Sequence, residues 1–253
     1  MRDPVRVFYD VIEGDALSVM STLESASFDA VITDPPFGIG FDYGAAGRER
    51  INDSDSYWSW LQPAYLEMLR CVKPGGFIAI WQTQLYMRHF WTWFGDLAHV
   101  YISAKNFVQI YNVPINRGYD PVVMLYKAGA PPLRPDPRDP ANRGRFRNID
   151  FFVSQTSKIV SQPALRPDHP CPRPVDVCVE IVRGFTRPGA RVLDPFAGSA
   201  AIGVACVANR RSYIGIENNA QHCALSRSRL DDAERIVAQW DSKQSRPTRR
   251  VSQ

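Results

Sequence analysis

Short apolar runs rich in β-branched residues alternate with amphipathic stretches along most of this chain. That alternation constrains the fold more than any other feature, because strands separated by helices must run parallel and be covered on both faces. The clearest run is Phe-Asp-Ala-Val-Ile-Thr at 28–33, suited to a buried strand. It stops at Asp34-Pro35-Pro36-Phe37, where two prolines forbid continuation as ladder or helix. Residues 5–12 read as an earlier strand, ended by Gly14 and Asp15 and followed by a helical stretch at 16–23. A glycine-rich, charged loop at 38–56 leads into an amphipathic helix at 57–71, where Trp58, Leu61, Tyr65, Met68 and Leu69 fall near helical spacing. Residues 73–76 read as a turn, 77–81 as a strand, 85–97 as a helix, and 100–111 and 122–127 as strands.

Between 128 and 173 hydrophobic periodicity fades, with prolines at 131, 132, 135, 137 and 140 and arginines at 134, 138, 143, 145 and 147. This stretch reads as a connection or small insertion, not as sheet core. Alternation then returns, with a helix at 175–185, a strand at 191–193, a glycine turn, a helix at 200–209, a strand at 213–216 and a helix at 220–237. From Ser242 the sequence is polar and basic and is expected to be a flexible tail. The expected fold is α/β: a doubly wound, mostly parallel, Rossmann-like sheet with a small insertion. A chain of 253 residues, 45% of them hydrophobic, suffices for one such domain. The net charge of +4 permits a polyanionic partner without requiring one. Five cysteines without a C-x-x-C pair argue against a disulfide framework, and a cytoplasmic chain without secretory signal or membrane span is expected.

Two motifs carry chemistry. Residues 192–200, Val-Leu-Asp-Pro-Phe-Ala-Gly-Ser-Ala, lead from a strand through a glycine turn into a helix, and Tyr213-Ile214-Gly215-Ile216-Glu217 follows that helix. Such a turn presents backbone N–H groups beside a ligand, and Gly198 allows close approach. Glu217 ends the next strand, where a carboxylate accepts both hydroxyls of a ribose. A dehydrogenase turn, or a packing glycine without a ligand, would share much of this pattern. A dinucleotide site needs G-x-G-x-x-G, which is absent here, so a nucleoside lacking phosphates suits the turn better.

The second motif is Asp34-Pro35-Pro36-Phe37. An exocyclic amino nitrogen is a poor nucleophile because its lone pair is delocalised into the ring. The Asp34 carboxylate and the Pro35 carbonyl can each accept one N–H, drawing the nitrogen towards sp³ and aiming its lone pair. Pro35 and Pro36 hold the turn rigid, and Phe37 offers a face for a base extruded from a duplex. Alone, the same residues make an ordinary surface turn. Their position directly after a buried strand, in a chain that also carries a nucleoside-type turn, favours the chemical reading.

The order of these motifs resembles that of the β-class, circularly permuted amino-methyltransferases of DNA, the N6-adenine and N4-cytosine family. There D-P-P-Y/F comes before D-P-F-x-G-S-G, as 34–37 come before 194–200 here. Gly14-Asp15-Ala16-Leu17 is similar to the family segment whose Asp reaches the cofactor adenine. His169-Pro170-Cys171-Pro172-Arg173-Pro174 is similar to the H-P-T-Q-K-P element covering the methionine end of the cofactor. The resemblance spans residue 14 to about 230. It implies S-adenosylmethionine as cofactor, no metal, and methyl transfer to a flipped base of double-stranded DNA. An acidic first residue, Asp34, favours adenine N6 over cytosine N4, where the family's motif commonly begins with serine. The resemblance gives catalytic roles to Asp34, Pro35, Pro36 and Phe37, and cofactor contacts to Asp15, Ala16, Asp194, Phe196, Ala197, Gly198, Ser199, Glu217, His169 and Arg173. It divides the chain into a catalytic half (1–127), a target-recognition insertion (128–168), a cofactor-binding half (169–238) and a tail (239–253). It also implies a homodimer and a restriction-modification setting with a cognate endonuclease as partner.

The departures are informative. Gly198-Ser199-Ala200-Ala201-Ile202 stands where the family has G-S-G-T-T, and a methyl group at Ala200 is tolerable where φ is negative. Arg173 replaces lysine, and Cys171-Pro172 replaces Thr-Gln. The altered turn leaves open a catalytically silent DNA-binding protein; methylation of RNA or of a protein amide is a weaker alternative. Arg48, Arg50, Arg134, Arg138, Arg143, Arg145 and Arg147 form the expected DNA surface, since arginine suits both phosphate contact and guanine reading. His169 and Cys171 lack the companions a metal needs, and His89, His99 and His222 are expected to be structural or at the surface. Trp58, Trp60, Trp91 and Trp93 are expected in the core or at a subunit interface.

Overall fold

The sequence 28–33 offers no turn-former and no break in its apolar character, and it forms β2 (Phe28–Thr33) in the interior of the sheet. The computed structural model describes residues 7–40, 53–95, 98–105, 118–131, 133, 151–153 and 173–244. Within them the strands are β1 (Tyr9–Glu13), β2, β3 (Val72–Trp81), β4 (Ala98–Ala104), β5 (Tyr119–Tyr126), β6 (Phe151–Val153), β7 (Arg191–Asp194) and β8 (Ser212–Glu217). The helices are α1 (Ala16–Thr22), α2 (Ser54–Cys71), α3 (Met87–Phe94, after a 3-10 turn at Gln84–Tyr86), α4 (Val175–Phe185), α5 (Ala201–Ala208) and α6 (Ala220–Gln244).

The strands pair in the order β1-β8-β7-β2-β3-β5-β4-β6. Every pairing is parallel except those of β5, which runs against both β3 and β4. Helices cover both faces, as a doubly wound sheet requires. On one face Val177, Cys178, Ile181 and Val182 of α4 pack with α5 and with Cys223 and Leu230 of α6. On the other, Met20 of α1 joins Tyr57, Leu61, Tyr65 and Met68 of α2 and Phe90 of α3. The α2 set recurs every three or four residues, so one stripe of that helix is buried. Asp53 caps its start by accepting from the Ser56 amide at 2.9 Å.

The structure alters several boundaries. Residues 73–76 are no separate turn but a bulge within β3: Phe28 faces Val72, and Ala30 faces Phe77. Gly75, at φ +83°, supplies the left-handed residue that this bulge needs. Residues 54–56 belong to α2 and not to the preceding loop. The segment read as an insertion contributes β6, whose backbone pairs with β4 at the sheet edge. Three residues carry too little periodicity to signal a strand. Helix α6 runs to Gln244, past the start of the expected tail. No helix among the described residues is long and apolar enough to cross a membrane.

Candidate active site

The winding of the sheet reverses between β7 and β2. From β7 the chain moves outward through α5 to β8, and from β2 it moves the opposite way through α2 to β3. At such a reversal the loops leaving adjacent strands part, opening a crevice at the strands' C-terminal ends. The two motifs leave the sheet at this place, one from each strand. They are tied beneath the crevice, where the buried Thr33 hydroxyl donates to Asp194 Oδ1 at 2.7 Å.

Asp34 is surrounded by charge. Its Oδ2 accepts from Nε of Arg173 at 2.5 Å and its Oδ1 from Nη2 at 2.8 Å. Nη1 of the same guanidinium donates to Asp120 Oδ2 at 2.5 Å, and Asp120 Oδ1 lies 3.0 Å from Lys105 Nζ. Burial pushes the Asp34 carboxyl above its ordinary value, against the pull of Arg173. Asp120 is also buried, but Arg173 and Lys105 together hold its carboxyl below the ordinary value. The Arg173 guanidinium lies over the Phe37 ring, 5.2 Å from its centroid, and 5.7 Å from that of Trp81. One face of Phe37 therefore already carries a cation. Gly38 follows at φ +66°, where a Cβ would come within 2.3 Å of the Tyr57 ring; its carbonyl accepts from Tyr86 Oη at 2.6 Å. Glycine is required there for the proline turn to settle against α2.

The turn after β7 is held from inside. Asp194 is almost fully buried and accepts from Thr33, from Tyr213 Oη at 3.1 Å and from the Phe196 amide at 3.3 Å. Burial raises its carboxyl to about 7. Glu217 Oε2 accepts from the Gly198 amide at 2.9 Å and Oε1 from the Asn219 amide at 2.9 Å, with His222 Nδ1 3.8 Å away. Ser226 and Arg229 donate to the carbonyls of Gly198 and Ser199. Ala200 lies at φ +53°, so it does not meet the negative-φ condition and stands before the helix, which starts at Ala201 and not at 200. The chain must swing from β7 into α5 within a few residues, and it does so by making both Gly198 and Ala200 left-handed. At the neighbouring strand end, Asp15 caps α1 through the Ser18 amide and hydroxyl, and the Gly14 amide donates to the Glu217 carbonyl at 2.9 Å.

Two proline turns at one reversal of the sheet, the first opening with an arginine-clamped, largely buried carboxylate and the second braced by a strand-end glutamate, define the site. The DNA methylase family model (N6_N4_Mtase) matches residues 28–228, which include both turns. The chain belongs to the DNA methylase family. Among its relatives, this DNA methylase is 24% identical over 261 residues to the DNA adenine methyltransferase YhdJ of Escherichia coli (strain K12), covering 90% of this chain and 85% of that one. It is 26% identical over 236 residues to the Type II methyltransferase M.HpaI of Haemophilus parainfluenzae, covering 87% and 74%. Its fold matches the PvuII DNA methyltransferase (cytosine-N4-specific) with a TM-score of 0.67 at 16% identity, covering 93% of this chain and 95% of that one. It matches the M1.HpyAVI–SAM complex with a TM-score of 0.64 at 20% identity, covering 88% and 100%.

Asp34, Phe37, Asp194, Gly198, Glu217 and Asp15 thus stand along one edge of the methylase sheet, at the ends of β2, β7, β8 and β1. Ala16, Ala197 and Ser199 are buried beside them, and Phe196 sits 5.8 Å from the partly exposed ring of Trp60. Arg173, matched to a cofactor element by sequence, directs its nitrogens at Asp34 and Asp120. Sequence reading missed Asp120 and Lys105; the available signal was an acidic residue opening an otherwise apolar strand. The tryptophans divide: Trp58 packs against His89, Phe90 and Trp93, while Trp91 and Trp93 keep exposed edges. Arg48, Arg50, Arg134, Arg138, Arg143, Arg145, Arg147 and His169 lie outside the described residues. Among the described residues, no three His, Cys, Asp or Glu side chains gather as a metal would need.

Proposed function

We propose that this DNA methylase transfers a methyl group from S-adenosylmethionine to N6 of adenine in double-stranded DNA, with the target base flipped out of the helix. The observation that carries the reading is the arginine-held carboxylate of Asp34, at the end of β2 and one strand from the Gly198 turn. The cofactor fits the residues present. Glu217 and Asp15 are acceptors for a ribose and an adenine, and the Gly198 amide is already engaged by Glu217. A carboxylate in that position would repel a phosphate, so the turn suits a phosphate-free nucleoside. Phe196 and Ser199 complete the set, with Asp194 acting through the turn that it braces. When bound, S-adenosylmethionine supplies an electrophilic methyl group on a sulfonium.

Asp34 and the Pro35 carbonyl would each accept one amine N–H, localising the nitrogen lone pair towards the incoming carbon. Once methylated, the nitrogen sheds one proton, for which the Asp34 carboxylate, raised by burial, is a competent acceptor. Phe37 would stack on the base with the face that Arg173 leaves open. Arg48, Arg50, Arg134, Arg138, Arg143, Arg145 and Arg147 would grip the duplex, in a homodimer suited to a two-fold DNA site and paired in the cell with a cognate endonuclease. DNA affinity is then expected to fall steeply with added salt. The deciding experiment is mass spectrometry of nucleosides from DNA methylated by the purified enzyme. N6-methyladenine is the expected product; N4-methylcytosine would replace the adenine assignment, and unmodified DNA would leave a silent binding protein.

A further inference from the structure

Arg173 reaches Asp34 in a particular way. A guanidinium is a rigid planar fork, and here Nε and Nη2 make the two parallel bonds to one carboxylate while Nη1 holds a second. Asp34 Oδ1 and Oδ2 each keep a further lone-pair direction, so the clamp leaves acceptor capacity for an amine. The plane of the clamp is set by Asp120. That residue can stand beside Asp34 only because β5 runs antiparallel: its first residues reach the edge where β2 and β3 end. Gln82, just past β3, donates its amide to the Pro121 carbonyl at 2.9 Å, fixing this start. Asp120 pairs directly with Ser103, and Lys105, two residues further on and just past β4, closes the row. The row alternates in sign: Asp34, Arg173, Asp120, Lys105. Side-chain exposure is 19%, 13% and 18% for the first three, so none is loosely solvated.

We infer that Arg173 and Asp120 are positioning residues for methyl transfer: Arg173 holds the Asp34 carboxyl in one plane through its two-bond fork, and Asp120 fixes the Arg173 fork. The inference rests on the reading of Asp34 as the group that engages the target amine. Lys105 anchors the outer end of the row through Asp120. The groups whose charge acts on Asp34 are Arg173, ahead of α4, Asp120 on β5, and Lys105 at the end of β4. Asp194 on β7 and Cys178 on α4 also feel its charge. Removing Arg173 takes away the main opposition to burial, leaving only the more distant Lys105 charge, so the Asp34 titration is expected to move to higher pH. Removing the Asp120 charge takes away a like charge, so the titration moves to lower pH while the fork loses its anchor. The two residues therefore leave opposite signatures.

The test has two arms. In the first, carboxyl ¹³C NMR follows the aspartates of the whole protein without cofactor or DNA, with Asp34 assigned from Asp34→Asn. Arg173→Met is expected to raise the Asp34 midpoint, Asp120→Asn to lower it, and Arg173→Lys to leave it near the wild-type position. In the second arm, methyl transfer to DNA is measured. Arg173→Lys and Asp120→Asn are expected to cut kcat on the order of tenfold to a hundredfold, the size of a small misplacement of a reacting group. KM for the cofactor stays within twofold, and Asp120→Glu recovers most of kcat. An Asp34 midpoint unmoved in Arg173→Met, or wild-type kcat in Asp120→Asn, overturns the inference. Absence of transfer by the wild-type protein would defeat the proposed function instead, and leave the titration arm standing as a test of the clamp.

Discussion

Asp34 and Asp194 begin the same dipeptide, Asp-Pro, at the ends of adjacent parallel strands, yet they occupy different chemical worlds. Asp34 is clamped by a guanidinium on both oxygens. Among the described residues, Asp194 is met by hydroxyls and an amide, and its carboxyl rises to about 7. Burial raises both carboxyls, but at Asp34 a paired cation opposes the rise and leaves lone pairs that a substrate amine can use. Hydroxyl donors are weaker compensation, so the other acid can sit protonated at neutral pH as a brace between β2, β7 and β8. Partners, more than sequence, divide the proposed reagent from the brace.

The sharpest way to break that comparison is to remove each acid in turn. Asp34→Ala is expected to lower kcat by at least about a thousandfold, within the range for a lost proton acceptor. Cofactor affinity, read by calorimetry, should stay near wild type, because the proposed role of the carboxylate is towards the amine and not the cofactor. Near-normal transfer by this variant would leave Asp34 no more a reagent than Asp194.

Asp194 is expected to appear in stability instead. Its carboxyl moves from an ordinary 3.8 to about 7 on folding, so the folded chain holds the proton more tightly than the unfolded one. The stabilisation is complete below the unfolded value and is lost as pH rises towards 7. Its size is roughly 4 kcal/mol at most, at about 1.4 kcal/mol per pH unit. Asp194→Asn carries no proton to lose, so its urea midpoint should change less between pH 5 and 8 than that of the wild type. Parallel pH profiles would show that Asp194 does not titrate there.

Glu217 tests the second turn from the ligand side. Its carboxylate accepts from Gly198 and Asn219, each a charge-assisted bond. Glu217→Ala is expected to weaken cofactor binding by about 2 kcal/mol, the scale of a lost hydrogen bond to a charged group. Unchanged affinity would confine Glu217 to holding the turn.

Both turns were legible in the sequence because each is short, local and punctuated by proline or glycine. The buried strand ahead of Asp34 and the alternation of 191–217 gave the central strands and their covering helices nearly to the residue. The Arg173–Asp120 contact was not legible. It joins positions 53 residues apart, through an antiparallel strand whose direction no local pattern declares. The bulge at 73–76 read as a turn because Lys-Pro-Gly-Gly satisfies turn chemistry whether or not the ladder resumes on both sides. Ala200 was misjudged for a related reason: alanine signals helix, but the tight exit from β7 dictates its backbone.

Ala200 gives the smallest predicted effect and the most exacting comparison between the turns, since the Asp34 turn obtains its left-handed residue from Gly38 and the Asp194 turn uses an alanine as well as a glycine. A left-handed alanine costs roughly 1–2 kcal/mol that glycine avoids. Against this, glycine adds roughly 0.4–1 kcal/mol of unfolded-chain entropy. Burial of the Ala200 methyl, which is fully covered, contributes about 0.8 kcal/mol. These nearly cancel, so Ala200→Gly should alter stability by less than about 1 kcal/mol. Ala205, equally buried but inside α5 with no positive φ, supplies the control. There glycine loses the methyl and also about 1 kcal/mol of helix propensity, so Ala205→Gly should cost about 2 kcal/mol. Chemical denaturation of the two variants separates them. If both substitutions cost the same, Ala200 is not strained, and the swing into α5 is carried by Gly198 alone.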